Sequence, residues 1–129
     1  MGAIDRILER LARRKDVTFR REGDTLRVLP RDEQGFEVTL VRAHPGWTVS
    51  FDGWHQSFET EDQAVACVAF GMSDACRLRS WHRGGQALRF TVEARIEDEW
   101  VEGRTTGMLF FPVAHATEVR TRSNGFIHV

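Results

Sequence analysis

Few of the features that assign a function at sight are present in these 129 residues. No uninterrupted apolar run approaches the roughly 18 residues that a membrane span requires. The opening stretch, MGAIDRILERLARRK, mixes charge into its apolar positions from Asp5 onward, unlike a secretory leader. These absences predict a cytoplasmic protein of bacterial type with no membrane association. Cysteine is scarce, with only Cys67 and Cys76. Nine residues apart in what reads as one helix, they lie about 180° round its axis, so separate reduced thiols are expected. His44, His82, His115 and His128 have no HxH, HxxxH or CxxC spacing, and no metal is expected. A glycine-rich phosphate loop and a dinucleotide fingerprint are also missing, and no cofactor is expected. Lysine is nearly lacking: Lys15 is the single exception among 18 basic residues, the rest being arginine, whose planar fork favours bidentate partners.

What is present describes a globular chain of one domain's length, 41% hydrophobic and 29% charged. The net charge of −1 hides a segregation. Residues 1–31 carry nine basic and five acidic side chains, 32–76 one and eight, and 77–95 five and one. Such blocks can place a basic patch on a nearly neutral protein.

The longest helical periodicity runs from Thr60 to Trp81. Thr60 and Gln63 form a capping-box pattern, and Val65, Val68, Ala69, Met72 and Cys76 share one face. Cys67, Phe70, Leu78 and Trp81 fall on the far side, so the helix needs cover on both sides, the outer one from a first helix over residues 3–15 or from a second subunit. That first helix places Ile4, Ile7, Leu8 and Leu11 on one face. Strand patterns fill the rest. Gly23-Asp24 as a tight turn sets Phe19 opposite Val28. Asp52-Gly53 pairs Phe51 with Trp54, and the loop at 43–46 pairs Leu40 with Val49 in the same register. Phe36, Val38, Leu40, Trp47, Val49, Phe51, Trp54 and Phe58 then line a core face. Leu88–Ile96 alternates cleanly, and a turn centred on Asp98-Glu99 would set Glu93 against Arg104. The expected fold is α+β: a single twisted antiparallel sheet with two helices layered on one face, in the order α-β-β-β-β-β-α-β-β-β. It forms one domain over 1–129, with 123–129 a flexible tail. The unalternating run Met108–Ala114 supplies Met108, Phe110, Phe111 and Val113 as a subunit interface, and a homodimer is expected.

The same register sets Thr39, Ser50 and His55 side by side, with Glu37 and Asp52 as diagonal neighbours. These are parts found in hydrolytic sites, on an open face with no sharp serine elbow, and no catalytic residue is assigned. Arg77-Leu-Arg-Ser-Trp-His-Arg combines arginines with an aromatic, a mixture that can hold a phosphate backbone. Joined to the first helix, it nominates Arg10, Arg13, Arg14, Arg77, Arg79 and Arg83 for nucleic acid. Three strands followed by Phe58-x-Thr60-Glu61-x-x-Ala64 resemble the AP2-type DNA-binding domain over less than a third of the chain, which implies strands entering a major groove. That family carries arginines where Glu37, Thr39, Ser50, His55 and Ser57 stand here. The element order is also similar to dimeric secretion-chaperone folds. The function expected is a non-catalytic binding or protein-interaction module. The alternatives are a nucleic-acid binder using the helix-layer arginines, or a small-molecule binder or enzyme at a pocket near His55 or Phe110.

Overall fold

A computed structural model describes residues 2–107 and 115–128. Helix α1 (Ala3–Leu11) starts at Gly2, whose N–H donates to the Asp5 carboxylate. Arg21 holds that same carboxylate at 2.8 Å, so the start of the helix is tied to the first hairpin. Five strands follow: β1 (Thr18–Glu22), β2 (Thr25–Leu29), β3 (Val38–Ala43), β4 (Gly46–Phe51) and β5 (Trp54–Phe58). They form an antiparallel sheet in sequence order. The turn chemistry sets the expected register throughout: Phe19 opposite Val28, Leu40 opposite Val49, Phe51 opposite Trp54. The predicted core face is buried except for Phe58, which is half-buried.

Helix α2 (Glu61–Met72) crosses the buried face of this sheet, capped by the Thr60 hydroxyl accepting from the Gln63 N–H. The approach is close, because a β-carbon at Gly71 would overlap the Phe51 ring. Helix α1 lies beside α2 and runs in the same direction. Arg6 reaches Asp62 at 2.6 Å near the start of α2, and Leu11 and Met72 share a cavity at the other end. The cavity between the helices is lined by Val65, Val68, Ala69 and Met72 of α2 and not by Phe70, which is half-buried.

The long helix expected to reach Trp81 stops at Met72. The Ser73 hydroxyl turns back to donate to the Phe70 carbonyl at 2.7 Å, and residues from the far end of the chain take the next carbonyls. Asn124 Nδ2 donates to Gly71, and the N–H groups of Phe126 and Ile127 donate to Met72. With its last turn satisfied, the helix has no use for the residues beyond. They become β6 (Cys76–Arg83), followed by β7 (Gln86–Ile96), β8 (Glu99–Gly107) and β9 (Glu118–Arg122). The fold is α+β as expected, but among the described residues it has two antiparallel sheets instead of one and four strands after α2 instead of three. The second sheet has the order β8-β7-β6-β9. The sheets meet where Trp54 Nε1 donates to the Arg104 carbonyl at 2.9 Å and Thr106 bonds the backbone of His55.

The β7–β8 turn also differs from expectation. It centres on Glu97-Asp98, both at positive φ, and sets Glu93 opposite Glu102. Residues 123–128, expected to be a flexible tail, are instead held down. Asn124 is 8% exposed and Phe126 is buried, while Ser123 donates to the Cys76 carbonyl. Asn124 also accepts from the Phe36 N–H at 2.8 Å. Replacing it with alanine strands a buried donor and a buried acceptor, so Asn124→Ala is expected to cost about 2–4 kcal/mol. Chemical denaturation would measure this, and a loss below that of an exposed control such as Arg13→Ala would contradict the role given to the tail.

Candidate functional site

As far as Ser80 the strand β6 alternates, so Cys76, Leu78 and Ser80 face the core while Arg77 and Arg79 face away from it; Trp81, on the arginines' side, is itself only 8% exposed. Pairing with β7 and β8 extends this outer face. Arg77 stands opposite Glu93, Arg79 opposite Thr91, Trp81 opposite Arg89, and Arg95 opposite Trp100. The result is guanidinium groups layered on indoles. Arg77 lies 4.2 Å from the Trp100 ring centre and Arg95 5.9 Å, while Arg89 and Arg79 lie 5.1 and 5.9 Å from Trp81.

One buried carboxylate organises the layer. Glu93 is 4% exposed, and its Oε1 accepts from Arg77 Nε at 2.7 Å, with Arg79 Nε at 3.8 Å. This explains how Glu93 stands opposite Glu102 without the repulsion that like charges across a ladder produce, since its cations arrive from β6 on the other side. Arg95 is paired with Asp74 at 3.2 Å. The Nε groups of Arg79 and Arg89 are both buried with no hydrogen-bond acceptor, and the Arg89 guanidinium lies over the Trp81 ring. Of the four arginines in the layer, Arg89 is the one with no ion pair among the described residues.

Of the six arginines nominated from sequence, the fold brings Arg77 and Arg79 together on a strand, not on a helix layer. Arg83, at the end of β6, donates to the His115 carbonyl at 2.8 Å. Arg10 lies in the last turn of α1, and Arg13 and Arg14 follow the helix, apart from the outer face of β6. Arg14 there binds Asp16 and the Phe126 carbonyl. The interface residues Met108, Phe110, Phe111 and Val113 lie outside the described residues, as does the expected pocket at Phe110. Arg89 and Trp100 were missed as site residues. Arg89 was legible as an outward strand position, but its neighbours had been assigned to a helix.

Two serine–histidine pairings occur among the described residues. Ser50 and His55 are cross-strand neighbours as expected, beside Thr39, yet no hydrogen bond joins them among the described residues. Their nearest acids are engaged elsewhere, Glu37 by Arg27 and Asp52 by Arg122 at 2.6 Å. Ser80 and His82 do bond, Oγ to Nε2 at 2.8 Å, because a strand sets residues two apart on one face. Ser80 is 0% exposed, so this pair holds the strand together and cannot meet a substrate. Open polar clefts lie near His55 and between Gln34 and Arg120, and an apolar cavity of about 260 Å³ lies between the helices. Among the described residues no cluster of His, Cys, Asp and Glu is arranged to hold a metal, and no helix is long and apolar enough to cross a membrane. Cys67 and Cys76 are free thiols, and burial pushes Cys67 up to about 12. They sit on α2 and β6, so the helical spacing expected to separate them does not apply.

No family model matches the chain, and no characterised protein or solved structure matches it.

Removing the carboxylate of Glu93 leaves Arg77 and Arg79 without their anion. Glu93→Ala is expected to cost about 1–3 kcal/mol, the lower values applying if Arg77 swings into water. Urea unfolding would read this, and a neutral outcome would show that the arginines do not depend on Glu93.

Burial, followed by the charge of Arg120, pushes His82 below its ordinary value of 6.5, with Glu118 opposing. The folded state therefore disfavours the imidazolium, and the unfolded chain binds the extra proton. The stability from this group is complete above the unfolded value and falls as pH drops through 6.5 toward the folded value. Melting temperatures between about pH 8 and about pH 5 should show this loss, and His82→Gln should remove that part of it.

Proposed function

We propose that this protein is a non-catalytic binding module and that the outer face of β6, β7 and β8 holds single-stranded nucleic acid. The observation that carries the reading is Arg89, a guanidinium laid on Trp81 with a buried Nε that lacks an acceptor, at the centre of an arginine–tryptophan layer. Stacked guanidinium planes take bases on their faces and phosphates at their edges, and neither contact depends strongly on sequence. The closed-off Ser80–His82 pair supports the non-catalytic part. The AP2-type resemblance would place nucleic acid on the other sheet. Its outward row runs Arg20, Arg27, Thr39, Ser50 and His55, with Arg27 paired to Glu37, and the second sheet offers the denser layer of arginine on tryptophan.

The protein is taken to act in a bacterial-type cytoplasm as a homodimer, with Met108, Phe110, Phe111 and Val113 as the proposed contact. Light scattering tests this, and a monomer at high concentration removes it.

Anisotropy with a labelled single-stranded oligonucleotide tests the binding surface. Affinity should fall steeply with salt. Arg89→Ala and Arg79→Ala should each weaken binding by roughly fivefold to tenfold or more, the worth of one stacked cation, while Arg13→Ala leaves it unchanged. No binding at low salt, or binding indifferent to Arg89→Ala, overturns the reading.

A further inference from the structure

We infer that the cavity between α1 and α2 binds a small amphipathic monocarboxylate, with its hydrocarbon part between the helices and its carboxylate on Arg10. Ile7 and Leu11 of α1 and Val65, Val68 and Met72 of α2 are buried side chains that flank a partly open groove of about 260 Å³. A hydrocarbon chain or ring laid in that groove takes apolar wall area out of water and gains dispersion contacts along it.

The polar end of the ligand follows from the spacing on α1. Ile7, Arg10 and Leu11 fall at i, i+3 and i+4, so Arg10 occupies the seam where a helix packed on another ordinarily carries apolar residues, and Arg14, beyond the end of α1, lines the same groove. Arg14 is accounted for. Its Nε and Nη2 bind Asp16, and Nη2 also reaches the Phe126 carbonyl. Arg10 lines the same cavity and, among the described residues, its side chain has no hydrogen bond or ion pair. One uncompensated cation at the mouth of an apolar cavity matches one negative charge on an apolar body, and a carboxylate accepts the guanidinium fork bidentately. A phosphate or dicarboxylate would bring a second charge with no partner. The site is separate from the outer face of the second sheet, from which it is divided by the core.

The test uses the whole chain titrated with octanoate and, separately, with 1-octanol, read by calorimetry and thermal shift. Octanoate should bind saturably at one per chain and raise the melting temperature, and 1-octanol should bind at least about tenfold more weakly for want of the charge-assisted pair. Arg10 is exposed, so Arg10→Gln keeps the fold and should bring octanoate down to the level of octanol. Ala69→Phe, which fills the cavity from its half-exposed rim, should abolish both. Absence of saturable binding in the wild-type chain overturns the inference. So does octanoate binding that survives Arg10→Gln undiminished, or that persists in a folded Ala69→Phe protein.

Discussion

The carbonyl groups at the end of α2 decide the architecture. A helix leaves its last carbonyls unpaired, and here Ser73, Asn124, Phe126 and Ile127 take those of Phe70, Gly71 and Met72 in place of a further helical turn. Residues some fifty positions away in the chain are thereby committed to the same few ångströms. Cys76–Arg83 is released to be a strand, a second sheet becomes possible, and the end of the chain is drawn under the first sheet, where Asn124 also meets Phe36. Arg14 joins by donating to the Phe126 carbonyl, so both helices and the tail close on one point.

From that strand follows the charge arrangement of the outer face. On a helix, Arg77 and Arg79 would lie on different sides; on a strand they share one, and both meet Glu93 across β7. Glu93 is buried with its carboxylate on Arg77 and beside Arg79, and Arg77 and Arg89 lie over the Trp100 and Trp81 rings. The outcome is a preorganised layer from which only Arg89 lacks a carboxylate among the described residues. A positioned cation loses little freedom on meeting a ligand, which is the physical reason such a layer suits recognition.

The first sheet was readable because its information is local. Gly23-Asp24 set the register of the first hairpin, while the loop at 43–46 and Asp52-Gly53 agreed on one core face, so Phe51 with Trp54 and His55 with Ser50 followed from turn geometry alone. The second sheet was not, for two identifiable reasons. Val68, Met72 and Cys76 fit a helical stripe as well as Cys76, Leu78 and Ser80 fit a strand, so periodicity could not choose. At the β7–β8 turn, the opposite charges expected to pair were outweighed by the two-residue turn at Glu97-Asp98, and Glu93 found its cations on the neighbouring strand instead. The Ser80–His82 pair and the Arg89–Trp81 contact went unseen with them, since both depend on β6 being extended.

By itself the sequence determined the α+β class, the registers of the β1–β2 hairpin and of the β3–β4–β5 meander with their buried face, and the start of α2 at Thr60, all properties carried by turns, caps and alternation within a few residues of one another. Tertiary structure alone decided where α2 ends, that there are two sheets, that residues 123–128 are held, and which arginines share a surface. Those depend on hydrogen bonds and ion pairs between distant residues, such as Asn124 with Gly71 and Arg122 with Asp52, whose partners no local pattern names. A buried carbonyl must be paired, but which donor reaches it is settled only when the chain is folded.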